Sequence, residues 1–159
     1  MALYATLSID VTGVEELVAG IVEGFVQKND LAEIKKCLTD ADTLEPEVEA
    51  IVKDFSSLNV ANIIDGVKKI VTLVQQLPDD LKDCEGIQGD ISKISNWATH
   101  IDVTKIPGNV IENLSPIVKD VQTITTDFQA DNYMDAGEQI ADIAIKTLGP
   151  VSNSTGLIY

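Results

Sequence analysis

Aliphatic residues recur at spacings of three and four from Val14 to Leu148, and few chain geometries can use such a pattern. That period gathers apolar side chains on one face of an α-helix, whereas a half-buried strand needs alternation by two. The first stripe is Val14, Leu17, Val18, Ile21, Val22, Phe25 and Val26, with Asp10 or Thr12 placed to cap its start. A second helix, Leu31 to Asp40, turns Leu31, Ile34 and Leu38 inward beside Cys37. A third opens near Pro46, where a first turn tolerates proline, and carries Val48, Ile51, Val52, Phe55 and Leu58. The fourth starts at Asn59 or Asn62, runs through Leu77 and stops at Pro78; Asp79-Asp80 then caps a short segment with Leu81 and Cys84.

Ile87, Ile91, Ile94, Ala98 and Ile101 form a fifth stripe, with Trp97 beside it. Lys105-Ile106-Pro107-Gly108 reads as a connection, and Val110 to Phe128 is helical again. Within it, Ser115-Pro116 either kinks the helix or starts a new one capped by Ser115. The last helix opens at Asp131 or Asn132 and stops at Gly149-Pro150. The expected fold is all-α: a single-domain bundle of six or seven amphipathic helices over residues 11–149. Short non-helical tails, residues 1–10 and 150–159, flank it. The run from Phe25 to Asp30 that leads to Cys37 is echoed by Leu73 to Asp80 leading to Cys84, which suggests repeated helical hairpins.

Gly20 and Gly24 lie one turn apart on the first helix. Each costs about 1 kcal/mol against alanine there, so the pair reads as a close-packing seam for another helix, with Gly137 and Ala141 as its counterpart. A functional groove is the other reading of that seam. Cys37 and Cys84 are the only cysteines, they form no C-x-x-C, and His100 stands at no metal-ligand spacing to either. They pair, closing a loop worth about 4 kcal/mol by chain entropy, or they remain two buried thiols. Asn113 and Asn153 head sequons that are glycosylation sites if the chain enters a eukaryotic secretory pathway.

The charge excludes more than it suggests. There are 26 acidic residues against 11 basic ones, a formal net charge of −15, and every base is a lysine. Divided at residues 56 and 104, the chain has no basic segment. Nucleic acid and anionic membranes are therefore disfavoured, since both recruit Lys and Arg. No apolar run approaches the roughly 20 residues of a membrane span, and no basic n-region precedes an apolar stretch near Met1. Catalysis has little to use: His100 is the sole histidine, and neither a P-loop nor a G-x-S-x-G is present. Asp40-Ala41-Asp42 begins like a calcium loop, but Leu44, Glu45 and Ile51 occupy the positions that need a ligand, a glycine and a bidentate glutamate. Asp79, Asp80, Asp83, Glu85 and Asp90 read as solvated helix caps. At 4% aromatic residues the chain is also poor in sugar-stacking platforms.

Cys37 followed by a Val/Ile-rich helix, then Asp83-Cys84, Trp97, Asn113, and Asp127-Phe128 ahead of Asp131, Tyr133 and Gly137-x-x-Ile140, resembles small secreted two-cysteine helical proteins of ciliated protists. The resemblance covers residues 14–148 and implies an extracytosolic, disulfide-bonded protein. A secreted or lumenal location is thus expected, with a cytoplasmic protein of free cysteines as the alternative. The surplus of aliphatic stripes makes a non-catalytic binding protein the leading expectation, holding a small apolar, lipid-like ligand between helices without a cofactor. A structural component that self-assembles with copies of itself through its terminal tails is the alternative.

Overall fold

The computed structural model describes residues 9–150. Eight α-helices follow one another: α1 (Val11–Val26), α2 (Leu31–Cys37), α3 (Ala41–Ser56), α4 (Val60–Asp80), α5 (Gln88–His100), α6 (Ile106–Glu112), α7 (Leu114–Gln129) and α8 (Tyr133–Leu148). Short 3₁₀ turns at Glu85–Ile87 and Val103–Lys105 lead into α5 and α6, and no strand occurs among the described residues. The all-α bundle is present, with its helices cut more finely than the aliphatic pattern suggested.

Prolines account for most of the differences. Pro78 does not stop α4, which continues to Asp80. In the last turn a proline forfeits one backbone bond while its neighbours keep theirs, and Leu81 N–H still reaches the Leu77 carbonyl at 2.8 Å. Pro46 lies inside α3 rather than in its first turn, because α3 begins five residues earlier at Ala41. The stretch expected as a connection holds the start of α6, with Pro107 in its first turn, where the missing N–H costs nothing. Ser115-Pro116 follows a true break, but the break falls at Asn113 and Ser115 sits inside α7.

Of the alternative caps, Asp10 serves α1, accepting from Gly13 N–H at 2.8 Å. Asn59 serves α4, accepting from the amides of Ala61 and Asn62. Gln27, at φ 62°, ends α1 with its N–H on the Glu23 carbonyl.

Helices α1 and α8 form the most intimate pair, and α8 also packs on α7, α6 and α4. Helix α1 reaches α2, α3 and α5, while α3 lies on α4 and α7, and α4 lies on α5. The apolar faces meet in one continuous core, in which Leu17, Ile21, Phe55, Ile70, Leu77 and Phe128 are fully buried. Ile9 is buried in it too, its N–H bonded to Glu49 Oε2 at 2.9 Å. The rest of the N-terminal tail, before Ile9, lies outside the described residues, as do the tail residues after Pro150.

Candidate functional site

Trp97, the one tryptophan of the chain, sits two turns into α5 on its buried face. Its ring tilts against Phe25 of α1 with centroids 4.8 Å apart. A buried indole needs an acceptor, and Trp97 Nε1 donates to the Gly149 carbonyl at 2.9 Å. That bond fixes the end of α8 against α5. Asn109 of α6 adds a second tie, its Nδ2 donating to the Thr147 carbonyl at 2.6 Å. Where the ends of α5 and α8 and the start of α6 converge, they leave a half-open cleft of about 410 Å3.

The cleft is amphipathic. Trp97, Ile101, Leu148 and Pro150 supply apolar surface, and Asn96, His100, Asp102, Lys105 and Asn109 supply polar groups. Thr104 donates to Asp102 through both its hydroxyl and its amide, and these bonds hold the Asp102 carboxyl below its usual range. His100 Nδ1 lies 2.7 Å from the Asn96 carbonyl. A carbonyl only accepts, so Nδ1 is the donor in this contact and Nε2 is left as the ring's accepting nitrogen. A second, more open depression of about 510 Å3 is bordered by Pro78, Ala98 and Val103. Ile101 is common to both.

The other residues singled out from sequence fall elsewhere. Cys37, closing α2, and Cys84, after α4, are joined by a disulfide with Cα atoms 5.2 Å apart. Beside it, Thr39 donates through its amide and hydroxyl to the Asp80 carbonyl, and Gln88 Nε2 donates to the carbonyls of Leu81 and Cys84. Gly20, Gly24, Gly137 and Ala141 all lie in the α1–α8 contact. A Cβ on Gly20 would strike the Met134 carbonyl, and one on Gly137 would strike that of Leu17. At Gly20 and Gly137 the seam is closed by backbone against backbone, and at Gly24 the Ala141 methyl fills it. Asn113 is half-buried, and its Nδ2, the atom a glycan would bond, donates to the Asn109 carbonyl at 2.9 Å. Asn153 lies outside the described residues.

The acidic cluster expected as solvated caps is divided. Asp79, Asp83 and Glu85 are exposed, but Asp80 and Asp90 are buried, as are Asp30, Asp120 and Asp127. Among the described residues no group of three His, Cys, Asp or Glu is gathered as a metal site would require. The sequence held a signal for these buried acids that the helical reading passed over. Leu77-x-x-Asp80-Leu81, Ile87-x-x-Asp90-Ile91, Ile117-x-x-Asp120-Val121 and Ile124-x-x-Asp127-Phe128 each place an aspartate at the i+3 position of an apolar stripe.

A disulfide-clasped, all-α bundle with an amphipathic cleft at one end is thus the class of molecule in hand. Residues 6–147 match the model of the SctB-like family, described as secreted protein B-like, and the chain belongs to that family. No curated protein and no solved structure matches it. The family and the paired cysteines fit a secreted, extracellular protein, and the alternative of a cytoplasmic protein with free cysteines does not fit them. The family description carries the secreted class implied by the resemblance and says nothing of ciliated protists. Among the described residues no helix is long and apolar enough to cross a membrane.

Proposed function

We propose that this protein is a non-catalytic carrier or sequestering protein, released outside the cytosol, that takes one small lipid-like molecule in the cleft between α5, α6 and the end of α8. The observation that carries this reading is the cleft itself. Its volume of about 410 Å3 falls within the roughly 300–1,000 Å3 typical of small-molecule sites, and its lining combines apolar side chains with polar ones. Trp97, Ile101 and Leu148 would face the hydrocarbon part, and Lys105 and Asn109 would meet a polar end. Catalysis plays no part in the reading, in which the sole histidine has no nucleophile assigned to it and both cysteines are oxidised. The aliphatic stripes that first suggested a ligand are consumed by the core, so the ligand is placed at the end of the bundle rather than along its axis.

Trp97 gives the site its own reporter. Titration with dodecanol and with dodecanoate is expected to shift Trp97 emission saturably at one molecule per chain. Ile101→Arg places a charge on the wall of the cleft at a half-exposed linker position, and is expected to weaken binding tenfold or more without unfolding the bundle. Emission unchanged up to the solubility limit of both probes would remove the proposal.

A further inference from the structure

Asp30, Asp80, Asp90, Asp120 and Asp127 are each no more than 8% exposed. The Oδ2 atoms of Asp30, Asp80, Asp90 and Asp127 are shielded from solvent and receive no hydrogen bond from a protein donor. Such oxygens are costly to bury as anions. Four of the five aspartates meet a second carboxyl on another element, in three pairs. Asp30, just ahead of α2, meets Asp90 of α5. Asp127 of α7 meets Asp135 of α8, and Asp120 of α7 meets Asp142 of α8. Two ionised carboxylates can only accept, so each contact is a hydrogen bond only while one partner holds a proton.

The surrounding charges differ among these sites. Lys28 lies 3.7 Å from Asp90 on the outer side of the first pair, and Glu33 of α2 adds a further negative charge. The groups facing Asp127 are the acids Asp135 and Glu138 of α8, and Glu138 in turn faces Glu23 of α1. At the third pair Lys146 bonds Asp120 at 2.9 Å and Asp142 at 2.7 Å, offsetting part of the repulsion. Asp80 faces Asp40 ahead of α3, Glu47 of α3 and its neighbour Asp79.

We propose that these buried carboxyls are proton-held clasps, which draw the turn ahead of α2 onto α5, and α7 onto α8, in an acidic medium and loosen both as the medium turns neutral. Burial first, and then the carboxyl partner, push Asp30 up to about 6 and Asp127 up to about 7. Burial and the Asp142 contact raise Asp120 to about 6 despite Lys146, and burial with the charges of Asp40, Asp79 and Glu47 raises Asp80 to about 6. An aspartate in the unfolded chain releases its proton near 3.8, so between that value and 6 to 7 the native state holds protons that the unfolded state has lost. The sign follows from linkage: this stability is fully present below the unfolded value and is lost as pH rises through the folded one.

The test is urea unfolding of the full, oxidised chain from about pH 4 to about pH 8, at low and high salt. The midpoint is expected to fall steadily toward neutrality, and most of the fall should survive high salt. Repulsion between exposed acids is screened by salt, whereas buried pairs are screened far less. Asp127→Asn supplies a permanent donor to Asp135 and should flatten the dependence; Asp135→Asn, on the half-exposed partner, should do the same and decides the matter if the first variant fails to fold. Asp65→Asn removes an equal charge from the exposed face of α4 and should leave the slope alone. Carboxyl NMR should place Asp30 and Asp127 midpoints near pH 6 and 7. A dependence abolished by salt, one flattened equally by Asp65→Asn, or buried carboxyls that titrate with the exposed ones would each overturn the proposal.

Discussion

Identical glycine substitutions should have opposite effects at two places in this bundle. A methyl group at Gly20 or Gly137 meets a carbonyl of the facing helix, so α1 and α8 must separate to admit it. Gly20→Ala and Gly137→Ala are each expected to cost about 1–3 kcal/mol in urea unfolding, the usual range for overpacking. Gly89, near the start of α5, has open space where its Cβ would stand. Gly89→Ala should therefore stabilise by about 0.5–1 kcal/mol, through helix propensity and a less flexible unfolded chain. Trp97→Phe keeps most of the ring contact with Phe25 but leaves the Gly149 carbonyl without its donor. A loss of about 1 kcal/mol is expected, together with a poorer cleft, read as weaker dodecanol binding by calorimetry. The seam was legible from sequence, because two glycines one turn apart in a helix are costly unless something must approach closely. The buried aspartates were not, because acids beside turns also suit solvated caps, and only their i+3 register within apolar stripes set them apart.

Helices were legible where aliphatic residues were dense, and their ends were not where proline or aspartate had two uses. Pro78 and Pro46 were given their commonest roles, as stop and as first-turn residue, and the structure holds both inside helices. Pro107 was hidden in an apparent connection because α6 is only seven residues long, too short to show a stripe. The disulfide acts at this same scale. It joins the end of α2 to the turn after α4, and the paired bonds from Thr39 to the Asp80 carbonyl hold the same junction. Replacing Cys37 and Cys84 together by serine should cost about 4 kcal/mol of unfolding free energy, the chain-entropy value for a loop of this length. Hydrogen exchange should locate the loss in α2 and the Cys84 turn before it reaches the α1–α8 pair.

At the scale of the whole molecule, composition excluded functions better than it identified one. A net charge of −15 without arginine argues against nucleic acid and anionic membranes. The family match supplies the secreted class that the chain's own residues could only imply through their cysteines. The cleft was not legible at all. Its walls come from α5, α6 and the end of α8, the last far from the other two in sequence, and Ile101 and Leu148 looked like ordinary core. Only Trp97, lying beside the fifth stripe rather than on it, stood out. Native mass spectrometry of the protein purified from its own extracellular medium tests the binding account most directly. The account predicts a monomer two hydrogen atoms lighter than the reduced chain, carrying one small lipid-like molecule that dissociates on denaturation and that Ile101→Arg no longer retains. A bare monomer that stays bare when dodecanol or dodecanoate is added in excess would contradict it.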